Sequence, residues 1–221
     1  MATSTIDTDT ELSAVNSILG SIGQSPVTSL GNVSSTTTTD SSGVTTTINS
    51  YENPEISFIY NILTEINKDV QNEGWHFNTE YHVEIEPDAN KNLLLPANTL
   101  RYTLHKAEHK SQDLVVRNGK LYDLVDHTFE FESAVYLDVV TLYSFNDLPN
   151  PFQRYITYRA AVRAATQLVS NPSLVQLLAG DEAKSRSACM DYECDTANPS
   201  FFGIPHDATY KSYTPYIVLR R

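Results

Sequence analysis

Basic residues, cysteine, tryptophan and long apolar runs are all scarce in this chain. Fifteen Lys and Arg stand against 27 Asp and Glu, a formal charge of −12. A protein that reads nucleic acid carries a basic stripe to neutralise phosphates, so this balance argues against that class. It argues equally against docking on an anionic membrane. No stretch approaches the roughly 18–20 apolar residues needed to span a bilayer. The opening MATSTIDTDTEL lacks the basic n-region and apolar h-region of a secretory leader. The two cysteines, Cys189 and Cys194, lie five apart on an expected helix and point in different directions, and no CxxC spacing suggests zinc. Both are expected to be reduced, small buried residues of a protein made in a cytosol. There is no GxGxxG after a strand, no GxxxxGK(S/T), no GxSxG elbow and no HExxH. Nothing therefore calls for a catalytic residue, a metal or a cofactor.

What the chain does have is tyrosine, thirteen against a single tryptophan. These rings pair an apolar body with a polar tip, which suits contact surfaces as well as cores. At 221 residues the length fits one domain, or a core with an inserted subdomain.

Hydrophobic periodicity orders the elements. Leu12, Val15, Ile18, Leu19 and Ile22 share one helical stripe over Glu11 to Ile22, with Thr8 and Glu11 at capping-box spacing. Residues 31–50 are a Ser/Thr-rich tract read as a surface loop, with an edge hairpin around Ser42-Gly43 as the alternative. Asn53 and Pro54 open a second helix, in which Ile56, Ile59, Leu63, Ile66 and Val70 recur at 3,4,3,4 spacing until Gly74.

From Trp75 the period changes to two, through Phe77, Tyr81, Val83 and Ile85. Leu93–Leu95 and Leu100–Leu104 read as short strands or strand edges, and Phe129, Phe131 and Val135–Tyr143 as further strands. Leu114–Arg117 and Lys120–Val125 flank Asn118-Gly119, the strongest short hairpin signal. Asn150-Pro151 opens a third helix with the stripe Phe152, Tyr155, Tyr158, Val162, Ala165 and Val169, and Ser173 starts a fourth, weak at Gly180, reaching about Asp195. The expected fold is α+β: a bundle of about four helices (1–74 and 149–195), an inserted antiparallel β subdomain (75–148), and an extended C-terminal arm (196–221).

Each candidate for chemistry has a plainer reading beside it. His105 and His109 have the spacing of two metal ligands on a helix, yet they sit in β-patterned sequence with no third ligand evident. Glu80, Glu84, Glu86 and Asp88 could supply a glycosidase pair, or the wet face of a sheet. Arg159 and Arg163 share a face while Arg154 lies nearly opposite Arg163, so the three form no DNA stripe; Arg159 and Arg163 fit salt bridges to neighbouring helices or subunits. In the tail, Tyr210, Tyr213 and Tyr216 recur every three residues and end in Leu219, Arg220 and Arg221. A polyproline-like arm would line those rings along one side, ready for a groove on a partner or on its own body.

Four segments then carry a resemblance. ELSAVNSILGSIGQSPVTSL (11–30), INKDVQNEGWHFNTE (66–80), LPNPFQRYITYRAAVRAA (148–165) and ACMDYECD (188–195) resemble, in order, the signatures of the tail tubular protein A, or adaptor, family of short-tailed phages. The tract at 31–50 is more threonine-rich than that family's pattern, and the arm matches no motif of it. The resemblance implies a helical bundle carrying a β subdomain, assembled as a twelvefold ring in the virion tail. It implies contacts with the portal protein above, the nozzle protein (tail tubular protein B) below, and the tail fibres. Genomic DNA would pass through the lumen without specific binding, and an acidic wall suits that passage because it does not grip phosphates. The arm is then the candidate portal contact, and residues 75–148 the candidate fibre-facing surface. Two rivals stand beside this reading: a tail-borne polysaccharide hydrolase using Glu84 or Glu86, and a monomeric binding module that uses its tyrosines.

Overall fold

The structure is a computed structural model that describes residues 10–30, 34–39, 45–50, 54–104 and 113–197. Its class is α+β, with helices α1 (Glu11–Ser21), α2 (Pro54–Asn72), α3 (Asn150–Ala164) and α4 (Pro172–Ala197) and small antiparallel sheets. The described residues divide into two compact units, one within 10–70 and 144–191 and one within 71–143 and 192–197.

The first unit is helical. α1 begins at Thr10, whose side chain accepts from the Ser13 amide while the Ser13 hydroxyl bonds back to Thr10. The cap therefore lies two residues past the expected Thr8, which is outside the described residues. Ala14, Val15, Ile18 and Leu19 are buried, and α1 packs against α3. The Asn16 side chain ties down the following segment through both the N–H and the C=O of Val27 (2.8 and 2.9 Å). α2 buries Ile56, Ile59, Ile62, Leu63, Ile66 and Val70, the face its 3,4 spacing predicts. The Tyr60 hydroxyl donates to Glu11 on α1 (3.2 Å).

The tract at 31–50 is not a loop throughout. β1 (Ser34–Thr39) and β2 (Thr45–Ser50) pair antiparallel, in register from Ser34↔Ser50 to Thr39↔Thr45. Runs of β-branched threonine on either side of Ser42-Gly43 favour extended backbone, so the hairpin alternative prevails.

α3 departs from its expected stripe. Pro149 rather than Asn150 stands at the N-cap, and Tyr158 and Val169 are exposed. The buried set is Phe152, Gln153, Tyr155, Ile156, Thr157, Ala160, Ala161 and Ala164, which runs around too much of the helix for a single stripe. Gln153 and Thr157 can be buried because both are satisfied: the Gln153 amide donates to the Phe145 carbonyl (2.9 Å) and the Thr157 hydroxyl to the Gln153 carbonyl (2.7 Å). A π-turn over Ala165–Val169 then shifts the helical phase, and Ser170 adopts a left-handed conformation. The cap of α4 is Asn171 rather than Ser173, its Oδ1 accepting from the Ser173 amide (3.1 Å). α4 runs through Gly180 without a break, so residues 196–197, assigned to the arm from sequence, are helical.

The second unit holds a three-stranded sheet ordered β3 (Thr79–Ile85), β7 (Val135–Thr141), β4 (Thr99–Leu104), and a hairpin of β5 (Leu114–Arg117) and β6 (Lys120–Asp123). Asn118 and Gly119 both have positive φ (53° and 73°), which a two-residue hairpin turn requires. Its core gathers Ile85, Leu93, Leu114, Leu121, Phe131, Val135, Leu137 and Val139.

Three stretches expected as strands or strand edges form no regular ladder here. Residues 76–78 form a 3₁₀ turn because buried Asn78 accepts from the Trp75 amide (2.8 Å) and donates to the carbonyls of Gln71 and Thr141 (2.9 and 3.1 Å). Leu93–Leu95 makes one bridge, Leu94 with Lys120, and Phe131 is anchored by its amide to the Lys91 carbonyl (2.8 Å) rather than by a ladder. A bulge in β3 leaves His82 with φ of 57°, its amide bonded to Asp138 (2.9 Å) and its ring stacked on Tyr136.

Candidate interaction surface

The sites read from sequence fall in three places. Tyr210, Tyr213, Tyr216, Leu219, Arg220 and Arg221 lie outside the described residues, as do His105 and His109. Among the described residues no group of three or more His, Cys, Asp or Glu could hold a metal ion. In the second unit Glu80, Glu84 and Glu86 are exposed; Glu80 and Glu84 each accept from a tyrosine hydroxyl, Tyr143 (3.3 Å) and Tyr136 (3.2 Å). Asp88 organises a turn, its Oδ1 accepting from the amides of Asn90 and Asn92 (both 2.8 Å). The hydrogen bond from the Asn92 amide, foremost, holds its carboxyl below the usual carboxylate range.

In the first unit the arginines surround a buried ring. The Tyr155 hydroxyl accepts from Arg159 (3.1 Å) and from Arg186 (2.7 Å), and both guanidiniums lie over the ring's faces. Arg159 also stands 4.0 Å from Glu182 on α4, and Arg163 stands 2.7 Å from Glu65 on α2. Both sites have an acidic partner on a neighbouring helix of the same chain. The Arg163–Glu65 pair is more open to solvent, 39% and 59% exposed against 32% and 26%.

α4 is the least buried of the four helices. It is 26 residues long, and of its described side chains only Cys189 is buried, with its thiol donating to the Pro151 carbonyl (3.2 Å). Cys194, expected to be buried, is exposed; neither cysteine forms a disulfide. A cleft of about 410 Å³ runs between α3 and α4, lined by Arg154, Tyr158, Asp181 and Lys184, and a second of about 340 Å³ lies between α3 and α1. Arg154 and Tyr158 line both. These clefts mix charged, aromatic and small side chains.

Sequence reasoning missed the apolar side chains at the α3–α4 corner: Leu168 (48% exposed), Val169 (40%) and Leu177 (72%). The signal was there in the charge pattern, since residues 164–180 contain no Asp, Glu, Lys or Arg.

No helix among the described residues is long and apolar enough to cross a membrane. None of the curated proteins compared with the chain matches it. The profile of a family described as tail tubular protein matches residues 41–199, well over half the chain and including α2, strands β3 to β7, α3 and α4. The chain belongs to the tail tubular protein family and is a structural component of the phage virion tail.

Proposed function

We propose that the chain is the head-to-tail adaptor of a short-tailed phage, a twelvefold ring seated between the portal protein and the nozzle protein. It would anchor the tail fibres and surround the channel through which the genome leaves. The observation that carries this reading is α4. A 26-residue helix that buries one described side chain lacks the packing that ordinarily sustains a helix, and neighbouring subunits would supply it. The ordered resemblance of residues 11–30, 66–80, 148–165 and 188–195 to adaptor signatures supports the same role, as does the −12 charge, which disfavours tight binding of a sliding duplex.

Within this role the arm with Tyr210, Tyr213 and Tyr216 is the proposed portal contact, and a chain lacking 208–221 should lose portal attachment. Arg159 and Arg163 are the proposed points of inter-subunit pairing, a role for which the more open Arg163–Glu65 pair is better suited. The sheet unit is proposed to face the fibres. The test is the mass of the purified chain by light scattering, alone and with its portal. A stoichiometric complex with the portal is the expected result; a chain of 24.7 kDa indifferent to the portal would contradict the reading.

A further inference from the structure

Two stretches of this acidic chain carry no charge at all, residues 12–39 and 164–180. The fold brings them together. A groove of about 170 Å³ is lined by Leu19 and Ile22 from the first stretch, Leu168 and Val169 from the second, and Ile59 of α2, with Glu55 as its one charged wall. An apolar cavity of about 150 Å³ admits a benzene-sized group, so a groove of this size takes a leucine side chain. The second stretch also supplies a projecting one, Leu177, which is 72% exposed.

We infer that this charge-poor corner is where one copy of the chain docks on the next, Leu177 of one copy entering the groove of its neighbour. The inference deepens the adaptor reading and rests on it, because it names the surface on which lateral contact depends. Charge selects the occupant. Copies that each carry −12 repel wherever their acidic surfaces meet, so close approach is cheapest where charge is sparsest, and this groove presents Glu55 alone. A basic partner would be drawn to the acidic surfaces and would gain nothing here. A knob and a groove that are different surfaces of one unit make a head-to-tail contact, which closes into a ring when the rotation allows.

The test is sedimentation of the full chain over a wide concentration range, with Leu177→Asp, Leu168→Asp and, as a control on an exposed residue of the sheet unit, Val125→Asp. The wild-type chain and Val125→Asp should associate alike. Either corner variant should weaken association about thirtyfold or more, because an aspartate would be buried without a partner. An equimolar mixture of the two corner variants should recover dimers and nothing larger, since one copy keeps its groove and the other its knob. Unchanged thermal midpoints would separate lost docking from lost folding. Corner variants that associate like wild type, or a wild-type chain that is monomeric at every concentration, overturn the inference. Neither result touches portal binding, which tests the adaptor reading by itself.

Discussion

Helix α2 sends Ile56, Ile59, Ile62, Leu63, Ile66 and Val70 into the core, whereas α4, although longer, sends only Cys189 among its described side chains. Most helical stability in proteins comes from packing an apolar face, not from propensity. α2 meets that requirement inside the chain. α4 is held instead by two local devices, the Asn171 cap and the Lys184–Asp181 pair (3.1 Å), and by single bonds to α3 from Arg186 to Tyr155 and from the buried thiol to Pro151. Exposed pairs of that kind contribute at most about 1 kcal/mol each. Under the proposed adaptor role, a helix so long and so little buried would serve as a surface for other subunits.

The sharpest way to break this contrast is truncation on each helix. Ile59→Ala on α2 should cost about 2–5 kcal/mol in urea unfolding, the range for a buried aliphatic side chain. Leu177→Ala on α4 should stay within about 0.5 kcal/mol in the isolated chain. If the two losses came out alike, α4 would be packed as tightly as α2. Next in size is Gln71→Leu. The Gln71 side chain accepts from the Tyr143 amide (2.8 Å) and donates to its carbonyl (3.0 Å), so the change leaves partly buried backbone groups unpaired, at about 1–3 kcal/mol by the same measurement. Gly119→Ala should cost about 1 kcal/mol, because alanine resists the positive φ of the hairpin turn, and amide exchange in β5 and β6 should quicken.

The smallest effect is on pH dependence. The folded-state pKa of Asp88 lies below its unfolded value, so its contribution is present above that unfolded value and is lost as pH falls through the folded one. Stability of Asp88→Asn should therefore fall less steeply than wild type as the solution is acidified through the carboxylate range. Identical slopes would remove the turn from the pH response.

Legibility in the sequence followed how local each determinant is. The 3,4 seam of α2 and the Asn118-Gly119 turn were readable because spacing or φ alone decides them. The stripe of α3 was not, because polar Gln153 and Thr157 are buried on hydrogen bonds that a hydrophobic pattern cannot reveal. Trp75 and Phe77 alternate like strand residues, yet the Asn78 side chain folds them into a turn through partners as distant as Thr141. Helix caps slipped by one or two residues, at Thr10, Pro149 and Asn171, since adjacent polar residues compete for the same amides. The tyrosine arm lies outside the described residues. The apolar corner at Leu168, Val169 and Leu177 was visible only as missing charge, a signal that gains meaning once the fold joins it to Leu19 and Ile22.

Hydrogen exchange of the α4 amides, in the free chain and in the assembled tail, bears most directly on whether this helix is built for neighbours. In the free chain, amides of residues 173–180 should exchange far faster than those of α2, and assembly should slow them towards the α2 rate. Exchange in α4 that is already as slow as in α2 before assembly, or that stays fast after it, would contradict the role given to this helix.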